Sequence, residues 1–327
     1  MAESKYININ DFIDNKYKWL FVIGARGVGK TVSSIAWAVK KAYENHQKFI
    51  YLRRYQTEID NLGLNLSLLS KITGLKVELD RQKDDSGRFS TMITANGVGV
   101  GYLIALSVAA KYKSTDYSGT FVIIYDEFID IRGRELKNEV NLFLNFAMTV
   151  FRDFADFNAI FLANATDPFN CYFVSYNILP KGLITKNKDL GIKIVMYKTS
   201  GALNERNKTQ LAKLVFALDN DDSALTNDFK ISDDFVQRQK AIAKCKYIIN
   251  LQNVDYGIWL SDDYTTISKK YDPNVSRVSI DSLNEEYEYK PYFIVGLSDA
   301  LKRKHLTFGD TMTRGIWLKA MKERNLI

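Results

Sequence analysis

The residues Gly24-Ala25-Arg26-Gly27-Val28-Gly29-Lys30-Thr31 fill every fixed position of the pattern G-x-x-x-x-G-K-[ST]. The chemistry of such a stretch is anion capture. Its glycines let the chain turn so tightly that successive backbone N–H groups face one phosphate, and the helix that follows adds the partial positive charge of its N-terminus. Lys30 is then placed to reach the β- and γ-phosphates of ATP, and the Thr31 hydroxyl to ligate Mg2+. A second stretch, TFVIIYDEF, runs five apolar or aromatic residues into Asp126 and Glu127. Asp126 is placed to contact the magnesium through water. Glu127 stands where a carboxylate orients and deprotonates an attacking water, which points to hydrolysis rather than transfer to an acceptor. Taken alone, either stretch also reads as an ordinary glycine-rich turn or a strand ending in a polar turn. Together they are complementary halves of one site.

These residues need a scaffold that brings them to one edge. Over the first 200 residues short apolar runs alternate with longer helical stretches, the pattern of a parallel sheet covered by helices. Strands are expected at 19–23, 48–53, 75–80, 88–94, 101–106, 120–125, 158–164 and 192–197, and helices at 29–46 and 134–155. The pair at 75–94, joined by DRQKDDSG, reads as an antiparallel hairpin inserted into the parallel core. Residues 199–235 change to polar helix and loop with Asp219, Asp221 and Asp222. From 246, YIINLQ, YGIWLSDD and YTTISKKYD suggest an antiparallel meander, followed by a helix at about 309–325. The expected division is an ATPase domain over 1–198, a linker or helical subdomain over 199–235, and a smaller domain over 236–327.

The chain has 327 residues, 46% hydrophobic and 25% charged, a balance that fits a globular protein rather than a disordered one. Its 45 Lys and Arg against 38 Asp and Glu give a net charge of +7, which permits a nucleic-acid partner without requiring one. No stretch reaches the roughly 18 apolar residues of a membrane span, and MAESKYININDF is polar and acidic where a signal peptide is basic and then apolar. The expected location is the cytoplasm, with no membrane partner. Cys171, Cys245, His46 and His305 are the only cysteines and histidines, and none sits at metal-ligand spacing.

Between the loop helix and Asp126 come KFIYLRR, the hairpin, ANGVGVGYLIALS and KYKSTDYSGTFVIIYDE, and beyond them AIFLANATDPFN. This order resembles the large-terminase ATPases that drive DNA into phage heads. There a glycine-flanked strand and a Lys-containing segment precede the DE strand, and a coupling strand ends in a polar residue, here Asn164, with Thr166 and Pro168 following. With GARGVGKT in a chain of this length, the sequence is similar to the DNA packaging (encapsidation) ATPases of small, phi29-like podoviruses. The resemblance implies a P-loop NTPase domain of the additional-strand, catalytic-glutamate type, followed by a small α+β domain of ribonuclease H-like, vestigial nuclease type. It also implies a homo-oligomeric ring, five subunits in number, at the portal vertex of a prohead, in the host cytoplasm. Such a ring translocates double-stranded DNA with ATP and Mg2+, and in some members rests on a structural prohead RNA.

A ring motor needs a cation delivered to the γ-phosphate from a neighbouring subunit, because firing then depends on the neighbour's state. Arg152 is the first candidate, with Arg132 and Arg134 as alternatives. Arg26 acts in cis or pairs with a surface carboxylate. Lys48, Arg53, Arg54, Lys111 and Lys113 are candidates for sequence-independent phosphate contacts or subunit contacts. In the last domain KYIINLQN carries no acid where a nuclease metal would need one, and Asp255, Asp262 and Asp263 fall at expected turns. A non-cutting domain that grips DNA or RNA through Lys269, Lys270, Arg277, Lys302, Arg303 and Lys304 follows. The alternative functions are a P-loop helicase or transposition-type ATPase acting on DNA, and a scaffold whose ATP site serves only assembly. Glu127 argues against the scaffold.

Overall fold

In the computed structural model, residues 7–83, 89–112, 117–129, 135–152, 158–164, 168–180, 182–197, 245–251, 254–260, 265–279 and 306–323 are described. The chain divides into two compact units, Met1–Cys171 with Pro180–Phe229, and Tyr172–Leu179 with Lys230–Ile327. The boundaries expected near 199 and 235, and the acidic cluster between them, lie outside the described residues.

The first unit is a mixed α/β fold around a nine-stranded sheet. Its strands are β1 (Trp19–Gly24), β2 (Lys48–Arg53), β3 (Val77–Lys83), β4 (Phe89–Ala95), β5 (Val98–Ala105), β6 (Thr120–Asp126), β7 (Ala159–Ala163), β8 (Ile184–Asn187) and β9 (Ile192–Tyr197). They lie in the order β3-β4-β5-β2-β6-β7-β1-β9-β8. The six inner strands, β5 to β9 in that order, are mutually parallel, while β4 and β8 pair antiparallel at the two sides. WLFVIG and TFVIIYD are buried along their whole length, as strands covered on both faces must be.

Side-chain alternation sorts the core into two layers. Leu20 and Val22 of β1 join Ile35, Val39 and Ala42 of α1 (Lys30–Glu44), whose buried positions recur at helical spacing. Trp19 and Phe21 point the other way, into an aromatic cluster around Phe161. Its ring stacks on Phe21 at 4.3 Å and meets Phe143 of α4 (Glu139–Val150) at 4.9 Å.

The expected strands and the loop helix are present, with shifted ends. The hairpin strand β3 continues through Asp80–Lys83, so half of the segment read as a turn is strand pairing with β4. The helix expected at 134–155 is shorter, because Asn138 at its N-cap and Phe151 at its C-cap both leave helical geometry. Strand β8 and helices α2 (Gln56–Asp60) and α3 (Leu66–Thr73) carry too few apolar residues in period to stand out in the sequence.

The short helix α5 (Cys171–Ser175) follows β7 in the chain. In the second unit β10 (Tyr247–Leu251), β11 (Val254–Leu260) and β12 (Thr265–Ser268) form the expected meander. Strands β13 (Arg277–Ser279) and β14 (Leu306–Phe308) add in parallel at its two sides. Helix α6 (Thr311–Glu323) buries Met312, Ile316, Trp317, Ala320 and Met321. Asp310 starts it by accepting from the Thr313 N–H and hydroxyl, both at 2.7 Å. Among the described residues no helix is long and apolar enough to cross a membrane.

Candidate functional site

At the C-terminal ends of the parallel strands β1, β2, β6 and β7 the chain leaves the sheet, the place where open α/β sheets bind ligands. Gly24 closes β1 against Tyr197 of β9. A Cβ there would lie 2.8 Å from the Tyr197 carbonyl oxygen, so the loop starts closer to its neighbour than any larger residue permits. Gly27 and Gly29 both take left-handed backbone, φ 76° and 86°, and Gly29 caps α1. The loop is also tied to the N-terminal segment, whose Ile7 N–H donates to the Val28 carbonyl at 3.0 Å.

Lys30 is the first residue of α1 and is buried. Its ammonium donates to the carbonyls of Gly24 at 2.6 Å and Ala25 at 2.8 Å, and to Asn164 Oδ1 at 3.1 Å, just past β7. Burial pulls its pKa down to about 8; Asp126 and Glu127 oppose that fall and Arg26 adds to it. Thr31 Oγ1 donates to Asp126 Oδ2 at 3.0 Å, and the buried Tyr51 hydroxyl donates to the same oxygen at 2.7 Å. Burial first, and Asp126 after it, push the Tyr51 phenol well above its ordinary value, so it stays a donor. One hydroxyl and one carboxylate side by side suit Mg2+, which takes few protein ligands.

Glu127 follows Asp126 with φ 56°, left-handed backbone that a non-glycine residue rarely takes. Its carboxylate is about half exposed and pairs with Arg53 Nη2 at 2.7 Å, while Arg53 Nη1 lies 3.5 Å from Asp126 Oδ2. The chain thus brings together Gly24, Ala25, Gly29, Lys30, Thr31, Asp126, Glu127 and Asn164, as read from the sequence. Val28 is buried behind the loop, and Arg26 and Gly27 are exposed on it.

Arg152 lies elsewhere. It is exposed just past α4 and lines a cavity of about 700 Å³ with Thr120 and Phe121, at the start of β6. Asp126 ends that strand, about 20 Å away at the rise of an extended chain. Arg152 therefore lies too far from its own glycine-rich loop to act there. Arg132 and Arg134 lie outside the described residues.

Two expectations need correction. Arg53 and Arg54 are not free to contact DNA: alternation along β2 sends Arg53 to Asp126 and Glu127 on the α1 side and buries Arg54 against Glu139 on the α4 side. Lys48, at the other end of β2, donates to the Tyr102 hydroxyl at 2.9 Å. Asp255 lies within β11 rather than at a turn. Its carboxylate accepts from Asn250 and Arg277, and the Asn250 bond leads in holding its pKa below the usual carboxylate value. Lys269 donates to Asn177 at 2.6 Å. Lys113, Asp262, Asp263 and Lys302 to Lys304 lie outside the described residues, as does the Lys111 side chain.

Sequence reasoning missed Tyr51, Arg53, Arg54 and Glu139 as parts of the site's surroundings. The available signal was in KFIYLRR: polar residues at the end of a buried strand, with Tyr51 and Arg53 on one face, belong to whatever lies at that edge.

The model of the Podovirus DNA encapsidation protein (Gp16) family matches residues 1–324. The chain is 28% identical over 318 residues to the DNA packaging protein of Bacillus phage B103, covering 93% of this chain and 96% of that one. It superposes on the structure of the bacteriophage phi29 genome packaging motor assembly with a TM-score of 0.71 at 25% identity, over 99% of this chain and 100% of that one. The N-terminal domain of the phi29 DNA packaging ATPase matches 61% of this chain and 99% of its own length, at 27% identity and a TM-score of 0.53. The chain belongs to the podovirus DNA encapsidation protein family, and so to the phage DNA packaging proteins.

The Lys30 environment fixes a pH dependence. A bound triphosphate favours the charged ammonium, so above pH 8 binding must take up a proton. ATP affinity, followed by titration with a fluorescent analogue, is expected to be flat from pH 7 to 8. It then falls by up to about tenfold per unit as pH rises toward the ordinary lysine value. A flat profile to pH 10 would contradict the placement of Lys30.

Proposed function

We propose that this chain is an ATP-hydrolysing motor subunit that moves double-stranded DNA through the portal into a preformed prohead. The observation that carries the reading is the convergence of Lys30, Thr31, Asp126 and Glu127 at one sheet edge, in a member of the encapsidation family. The first unit acts as a P-loop ATPase domain of the additional-strand, catalytic-glutamate kind. Backbone N–H groups of residues 25–31 cradle the phosphates, and Lys30 leaves its own loop carbonyls for the β- and γ-oxygens. Thr31 and Asp126 would hold the Mg2+ shell, and the ion, when bound, would neutralise charge on the phosphates. Tyr51 keeps the Asp126 carboxylate facing that shell. Glu127 activates the attacking water, which requires its pair with Arg53 to open first, and Asn164 reports the state of the phosphate end to β7.

Arg152 supplies the positive charge to a neighbour's γ-phosphate, since its distance from its own loop excludes a role in cis. That arrangement makes a ring, five subunits in this proposal, whose members fire in dependence on one another. The second unit is a ribonuclease H-like domain without cutting activity. Asp255, its carboxylate held by Asn250 and Arg277, is poorly placed to bind a metal. Its exposed basic residues grip DNA or a prohead RNA. Similarity to a chain of the phi29 genome packaging motor assembly supports a portal-docked oligomer.

Glu127→Gln is expected to bind ATP with native affinity and to lose turnover by about a thousandfold, the scale of a removed general base with its positioning role. Hydrolysis within a few-fold of native would sink the assignment. Arg152→Ala subunits, inactive alone, should recover turnover when mixed with Glu127→Gln subunits, because the Glu127→Gln neighbour supplies the arginine to a site whose own Glu127 is intact. Mixtures as inactive as either parent would return Arg152 to a local structural role.

A further inference from the structure

Behind the Glu127 turn, on the α4 face of the sheet, is a buried ion pair that the hydrolytic reading leaves unused. The Arg54 side chain is 2% exposed and that of Glu139 fully buried. Arg54 Nε donates to Glu139 Oε2 at 2.7 Å and Nη2 to Oε1 at 3.0 Å, a two-pronged pairing. The same guanidinium also turns toward the backbone after β6. Its Nη1 donates to the Glu127 carbonyl at 3.1 Å, and Nη2 to the Phe128 carbonyl. Glu139 is fixed in turn by the Tyr125 hydroxyl at 2.8 Å and the Leu136 N–H at 2.9 Å. The Phe128 N–H donates to Leu162 of β7 at 3.2 Å, anchoring the far side of the turn.

Glu127 needs this support. An L side chain takes left-handed backbone only where its surroundings impose it, and φ at Glu127 is 56°. The side chain is half exposed, and its pair with Arg53 must open before the carboxylate can act on water, so the backbone has to be held from elsewhere. Two consecutive carbonyls gripped by one planar fork define the peptide planes on either side of the Phe128 Cα, and the first of these planes sets where the Glu127 Cα–Cβ bond points. A buried ion pair adds little net stability over well-packed apolar residues, so its presence here calls for another account.

We propose that Arg54, held by Glu139, is a positioning residue for hydrolysis: it locks the turn that aims the Glu127 carboxylate at the water. The proposal rests on the reading of Glu127 as the water-activating group. Lysine cannot replace the fork, because one ammonium on a flexible stem cannot pair with a carboxylate at two points and hold two carbonyls. A displacement of the carboxylate by about 1 Å is worth on the order of a hundredfold in rate.

The test is steady-state ATP hydrolysis by the full-length Arg54→Lys chain, with binding of a non-hydrolysable ATP analogue measured beside it. The expected result is a kcat lowered by at least about tenfold, with KM and analogue affinity within threefold of native, since the phosphate loop and Lys30 are untouched. A kcat within twofold of native overturns the proposal. So does a loss of analogue affinity as large as the loss of kcat, which would mean general damage. If Arg54→Lys does not fold, Glu139→Gln, which keeps the shape and removes the charge that holds the fork, is read by the same split. Glu127→Gln run in parallel separates the two claims. An inactive Glu127→Gln beside a fully active Arg54→Lys removes only the positioning role, whereas an active Glu127→Gln removes the reading it rests on.

Discussion

A buried ammonium has to be partnered, and in this chain that constraint shapes the whole sheet edge. Lys30 sits at the head of α1, out of water, and is held by two carbonyls of its own loop and by Asn164. The loop can fold its carbonyls back on the ammonium only because Gly27 and Gly29 take left-handed backbone. Asn164 reaches it only because β7 lies directly beside β1. The helix, the strand order and the glycines therefore all serve one requirement, the partnering of that ammonium.

The acidic half of the site is organised by a different rule, the alternation of side chains along a strand. Arg53 and Arg54 are neighbours in sequence and are sent to opposite faces of the sheet, so that they bracket the turn after β6 from two sides. One reaches the Glu127 side chain and the other its backbone. Tyr51, two residues before Arg53, falls on the Arg53 side and reaches Asp126. A single six-residue strand and the arginine that follows it thus control both carboxylates. Neighbouring β6 then fixes their height, because its register with β2 sets Leu52 opposite Tyr125.

The loop and the carboxylates are legible in the sequence because their chemistry is local: glycine, lysine and threonine at fixed spacing, and acids closing an apolar run. The parallel core is legible because WLFVI, KFIYLR and TFVIIY are continuous apolar runs of strand length. Arg54 reads from sequence as a DNA contact because its partner Glu139 is distant in the chain, and a charge pair across that gap leaves no trace in composition. Half of the β3 hairpin reads as turn because the polar residues Asp80–Lys83 pair on an edge, where apolar alternation is not required. Helices α2 and α3 escape detection because they are short and lean on the core with single residues such as Ile59 and Leu69. Arg152 can be named from the sequence, yet only the fold puts it at the opposite edge of the sheet from its own loop.

In the proposed function, hydrolysis at this edge drives DNA into a capsid. The direct measurement is protection of genome-length double-stranded DNA from added nuclease, when the chain, its cognate proheads and ATP are combined. The expected result is full-length protected DNA that requires ATP and disappears with Glu127→Gln. DNA-dependent ATP hydrolysis with no protected DNA, under conditions where the proheads are intact, would contradict it.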